Sequence, residues 1–138
     1  MKRFGSGPAS LLVFLAAFLS SGCGANRQLQ SVNLSPATAD AKSFPGGQVP
    51  FTATGSFNKP PSPTPLTSND VTWCVGSGTG QCDGNIAQRA TVDQNGLAQC
   101  ESAFVGTVTI LAGTAGTPMN PDEGQPLKVF GSATLTCP

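Results

Sequence analysis

The sequence contains no histidine and no tyrosine, and only 10% of its residues carry a charge. Without histidine a Ser-His-Asp triad is excluded, and the commonest general base and the commonest metal ligand are both missing. No Cys-x-x-Cys occurs either, so a zinc site is not expected. Basic residues are few and scattered, which argues against a nucleic-acid surface. No helical periodicity follows residue 25, and Gly and Pro together make up 29 of the 138 residues. That composition favours strands and turns over long helices. These absences together lead us to expect a protein that is not an enzyme and that uses no cofactor or metal.

What is present begins with a leader. Met1-Lys2-Arg3 is a short positive segment, and Leu11–Leu19 is an apolar run of nine residues. Such a run suits a helical signal segment and falls short of the roughly 20 residues that span a bilayer. Ser20-Ser21-Gly22-Cys23 follows and resembles the lipobox of bacterial lipoproteins, with Ser20 where the usual pattern has Leu. The resemblance implies a signal peptide over residues 1–22 and lipidation of Cys23, anchoring the chain to a membrane. Ordinary cleavage after Ala25 is the alternative. Several acyl chains anchor firmly where a single one binds marginally. In the lipoproteins it resembles, an Asp after the cysteine favours inner-membrane retention, so Gly24 there implies the outer membrane, with the domain facing the periplasm or the cell surface. Without Lys2 and Arg3 the exported chain has five basic and seven acidic residues, a net charge of −2.

Residues 23–30 read as a polar tether and 31–138 as one domain. Val32 and Leu34 form a short edge strand ended by Pro36. From Val49 to Phe57 the alternation is strict, with Val49, Phe51, Ala53, Gly55 and Phe57 on one face. Lys59–Pro65, with four prolines in six residues, reads as an exposed loop outside any ladder. Val71, Trp73 and Val75 share the face of another strand, with Trp73 as core anchor. Asn95-Gly96 between two β-prone runs predicts a hairpin with a tight primed turn, in which both residues take positive φ. Val105–Ala112 and Leu127–Cys137 complete about seven strands. The pattern predicts an all-β antiparallel sandwich. Three local motifs have plainer explanations. Asp93-Gln94-Asn95-Gly96 begins like a calcium loop but lacks its closing Glu. Asn33-Leu34-Ser35 matches a glycosylation triplet by coincidence, and the Gly-rich stretch Gly76–Asp83 lacks the Lys of a phosphate loop.

Six pieces in order, Val32-x-Leu34-Ser35-Pro36-Ala37, Phe51–Phe57, Val71-Thr72-Trp73, Ala90–Leu97, Gly106–Ile110 and Gly131–Thr136, resemble the bacterial Ig-like domain group 2 family. The resemblance implies an Ig-like β-sandwich of bacterial surface proteins, often in adhesins of the intimin and invasin type, and brings no catalytic residues. It therefore implies a non-catalytic envelope module that contacts a protein partner or a surface matrix. A carbohydrate- or glycan-binding module is the alternative.

Four cysteines remain beside Cys23. An even number in an exported domain predicts two disulfides. Cys74 lies opposite Trp73 and points outward, whereas Cys137 shares a face with Leu135 and points inward. Parity therefore disfavours Cys74–Cys137 and favours Cys74–Cys82 with Cys100–Cys137. The pairing Cys74–Cys100 with Cys82–Cys137 stays open. Phe44, Phe104 and Phe130 fall outside the inward parity and are the candidate binding residues. Two of them exposed and coplanar would favour a glycan site, whereas buried rings would leave the envelope-module reading standing.

Overall fold

The computed structural model describes residues 26–83, 89–116, 124 and 126–138. The leader, Cys23, Asp122 and Glu123 lie outside the described residues. Ten strands are present among those described: β1 (Leu29–Ser35), β2 (Thr38–Asp40), β3 (Gln48–Pro50), β4 (Thr52–Phe57), β5 (Thr64–Leu66), β6 (Thr72–Gly76), β7 (Ala90–Val92), β8 (Leu97–Cys100), β9 (Gly106–Ala115) and β10 (Leu127–Cys137). Two single-turn 3-10 helices, Ala41–Ser43 and Pro45–Gly47, join β2 to β3. The described residues are all-β, and every strand pairing among them is antiparallel except β2 with β10.

The strands form two layers. One is the four-stranded sheet β2-β10-β9-β6. The other combines β1-β4-β5 with β3-β8-β7. β3 and β4 are two halves of one extended run, broken only at Phe51, whose amide donates to the Gly96 carbonyl at 2.9 Å. The first half pairs with β8 and the second with β1 and β5. Between the layers lies one core, in which Val32, Val49, Phe51, Trp73, Ile110 and Leu135 are all buried. Complete burial of a side chain such as Ile110 or Leu135 is worth roughly 1.5–3 kcal/mol. The alternation from Val49 to Gly55 is preserved through the break at Phe51, since residues 49, 51, 53 and 55 are all buried.

Three sequence expectations need correction. The strand count rises from about seven to ten because β2 and β5 were not foreseen and the Val49–Phe57 run divides. Thr64–Leu66, at the end of the proline-rich stretch, does join a ladder, with Pro65 opposite Thr54 on an edge strand. Proline is tolerated at an edge because its missing N–H faces no partner there. The hairpin turn is not a two-residue primed turn. Gly96 alone takes positive φ, at 81°. Asp93 and Leu97 close a three-residue loop through Asp93 N–H to Leu97 O at 3.0 Å, and Gly96 N–H donates to Asp93 O at 3.1 Å. A turn followed by a left-handed glycine is the usual three-residue solution. Gly96 is also pressed onto the core, since a Cβ there would sit 2.8 Å from Trp73 Cζ2. In addition, β1 begins at Leu29, inside the stretch read as tether, and β9 begins at Gly106, leaving Val105 76% exposed.

The four-stranded sheet is covered on both faces. Leu111 has the opposite parity to Val108, Ile110 and Ala112, yet it is fully buried. It lies between Cys74 on β6 and Ser132 on β10. The Gly-rich stretch after β6 folds back over it, held by Leu127 N–H to Gly80 O at 2.9 Å. Gly80, at φ 82°, lets the loop lie directly on the Phe130 ring, where a Cβ would collide. The disulfide Cys74–Cys82 closes this loop. The second disulfide, Cys100–Cys137, ties β8 to β10 across the two layers. These are the pairs that strand parity favours.

Candidate functional site

Strand direction gives the sandwich two distinct ends. The described chain starts at Asn26, beside the end of β4 and the proline-rich loop, because Leu29 pairs with Phe57. β1 runs away from that end, and β2 continues alongside β10 in the same direction. The far end therefore gathers the turn after β2, the end of β8, the start of β9 and the end of β10.

Phe44 and Phe104 meet at this far end. They line one cleft of about 230 Å³ together with Lys42, Gly47, Gln99, Glu101 and Ser102, beside Cys100 and Pro138. Both rings are half-buried and pack against the core on their inner side. The geometry follows from local chemistry. Asp40 Oδ1 accepts from Lys42 N–H at 2.9 Å and starts the single helical turn that delivers Phe44. Glu101 N–H donates to Arg89 O at 2.9 Å, and Phe104 N–H donates to Glu101 O at 3.0 Å, which folds the β8–β9 connection into a turn. The Arg89 guanidinium stands 5.7 Å from the Phe104 ring centroid. Among the described residues, the side chains of Lys42, Glu101 and Ser102 make no hydrogen bond with one another or with any other described residue. Val105, next to Phe104, is the most exposed large apolar side chain among the described residues.

Phe130 does not join this cleft. It lies under Gly80 on the outer face of the four-stranded sheet, and its role there is to fill the small outer core. A second cleft of about 330 Å³ opens where β5 and the hairpin diverge from the β3–β4 run, with Thr52, Thr67, Gln94 and Asn95 at its rim. Its aromatic residues are closed off, Trp73 being 6% and Phe51 2% exposed. Lys42, Gln99, Glu101 and Ser102 were not singled out in the sequence. The only signal for them was their nearness to Phe44 and Phe104, which fail the inward parity.

Three of the described acidic residues, Asp40, Asp70 and Asp93, accept hydrogen bonds from backbone amides. Asp93 Oδ1 accepts from Asn95 N–H and Leu97 N–H, both at 2.8 Å. The Leu97 amide chiefly, with that of Asn95, holds this carboxyl below the ordinary aspartate range. Asp70 Oδ2 accepts from the Thr67 amide at 2.8 Å and its hydroxyl at 2.7 Å, which lower its pKa in the same direction. Among the described residues no three His, Cys, Asp or Glu side chains are grouped to hold a metal ion. No described helix is long and apolar enough to cross a membrane. Compared with known proteins, the chain matches no family model, and no curated protein matches it.

Proposed function

We propose that this chain is a non-catalytic Ig-like module of the bacterial cell envelope, lipid-anchored through Cys23 and holding a protein partner or a surface matrix. Strand order supports the Ig-like assignment. β1, the β3–β4 run, β8 and β7 lie side by side in the order A, B, E, D, while β6, β9 and β10 follow C, F, G. That is the arrangement of the constant-type Ig sandwich, which also carries a buried tryptophan on strand C. Trp73 is buried on β6. The short strands β2 and β5 are additions to that frame. The observation that carries the functional reading is the far-end cleft, where two half-buried rings stand beside side chains without internal partners. It is the same cleft that supports the second reading, a glycan-binding module.

The leader supports the anchor. Five residues separate Cys23 from Leu29. A fully extended chain of that length reaches less than about 20 Å, so the sandwich would stand close to the membrane. Radiolabelled palmitate incorporation compared between the wild type and Cys23→Ala tests the anchor. Label in the wild type alone supports it, and equal or absent label in both removes it.

A further inference from the structure

We propose that the far-end cleft is a saccharide site, in which Phe44 and Phe104 take the C–H face of a pyranose ring and Lys42, Gln99, Glu101 and Ser102 take its hydroxyls. The proposal deepens the envelope-module reading and rests on it only for the direction in which the cleft faces. A pyranose is amphipathic, with an apolar face of axial hydrogens and a rim of hydroxyls that donate and accept. The cleft has the matching division. Two phenyl side chains come from different connections, and around them stand an ammonium, a carboxylate, an amide and a hydroxyl. A purely apolar ligand would strip water from these polar groups without replacing their hydrogen bonds, which is costly. A strongly anionic polymer would meet Glu101, and a polycation would meet Lys42. An uncharged or N-acetylated sugar meets neither conflict.

The cleft beside the hairpin lacks this division, because its aromatic floor is nearly sealed and its rim is uncharged. At about 230 Å³ the far-end cleft is smaller than a typical ligand pocket of roughly 300–1,000 Å³. It therefore takes one ring of a longer chain. Single-site binding is then weak, and many anchored copies on one polymer strengthen it by avidity. The distance between the ends fits this use. The eleven residues of β10 span about 35 Å at the strand rise of ~3.3 Å per residue. With the chain anchored through Cys23, the far end points away from the bilayer.

The test uses the exported, disulfide-bonded protein purified from cells and titrated calorimetrically with cellohexaose, laminarihexaose, maltohexaose and chitohexaose. At least one should bind. Phe44→Leu and Phe104→Leu, which keep bulk and remove the ring, should each weaken that binding about tenfold, close to the upper end of a single aromatic contact. Phe130→Leu should leave it unchanged. If either ring variant unfolds, Lys42→Ala and Ser102→Ala, both at exposed positions, should weaken binding several-fold in folded protein. The proposal is overturned if none of the four sugars binds, or if Phe130→Leu weakens binding as much as Phe44→Leu. The intact mass of the same preparation reports the lipid on Cys23. Sugar binding by unlipidated protein keeps the site and removes the anchor, whereas lipidated protein that binds no sugar does the reverse.

Discussion

The two ends of the sandwich are built from similar materials and handle them differently. At the N-terminal end polar groups satisfy one another. Arg27 donates to Thr64 Oγ1 at 2.9 Å and to the Pro61 carbonyl, and its guanidinium stacks 3.5 Å from the Phe57 ring centroid. Asn58 accepts from Gln28 N–H at 2.8 Å and donates to Asn26 O at 3.0 Å. Ser62 Oγ accepts from Phe57 N–H at 2.8 Å. The proline-rich loop is thereby tied to the incoming chain. At the far end the Lys42, Glu101 and Ser102 side chains are left to solvent around two rings. Closed polar networks fix structure, whereas convergent unpartnered groups beside apolar surface are what recognition uses.

The largest expected effects come from the disulfides, which fall unequally on this division. Cys100–Cys137 closes 37 residues and braces the far end, while Cys74–Cys82 closes 8 and staples the outer loop. Loop-closure entropy gives about 4 kcal/mol for the first and about 2.5 kcal/mol for the second. Replacing both cysteines of each pair by serine should reproduce that order in urea unfolding. Only loss of Cys100–Cys137 should also weaken ligand binding at the far end. Equal losses from the two pairs would mean that the far end needs no brace.

Next in size is the outer core. Leu111→Ala should cost about 2–5 kcal/mol, as a buried leucine does, although its side chain points away from the main core. A loss below about 1 kcal/mol would show that the Gly-rich loop does not pack on the sheet. At the N-terminal end, Asn58→Ala removes two exposed side-chain hydrogen bonds and should cost about 1 kcal/mol, with sugar affinity unchanged. A change in affinity would couple two ends that are expected to act independently.

The smallest effect is on the acid side. The carboxyls of Asp70 and Asp93 have lowered pKa values in the folded chain. Their contribution is fully present above the unfolded aspartate pKa and is lost as pH falls through the lowered native values. Both groups are solvent-exposed, so the loss is small. Asp93→Asn should flatten the acid limb of a stability–pH curve and leave its neutral part nearly unchanged. An unaltered acid limb would mean that the turn does not depend on the charge.

How much of this was legible follows from the range of each signal. The inward faces of the Val49–Gly55, Val71–Val75 and Val108–Ala112 runs could be read because a two-residue period is local, whereas Phe57, expected on the same face, lies outside the core beneath the Arg27 guanidinium. β2 could not, since three residues with only a half-buried Ala39 leave no pattern, and their partner in β10 lies almost the whole chain away. β5 was hidden by Pro65, whose ring argues against a strand until its edge position is known. Leu111 breaks its strand's parity because a distant loop covers it. Phe44 and Phe104 were marked by failing parity, but their meeting depends on the β2–β10 pairing and the Cys100–Cys137 bond, both long-range. Parity separated the two from the core and could not separate Phe130, which is covered from outside.

The central claim is that one end of an anchored module faces the membrane and the other is left for a ligand. The most direct measurement is amide NMR of the lipidated protein in nanodiscs carrying a gadolinium-chelating headgroup. Amides of Gln28, Leu29, Phe57, Asn58, Lys59, Ser62 and Thr64 should broaden strongly, with those of Ala41–Phe44, Gly46, Gly47 and Glu101–Gly106 staying sharp. Broadening concentrated at the far end, or spread evenly over both, would contradict it.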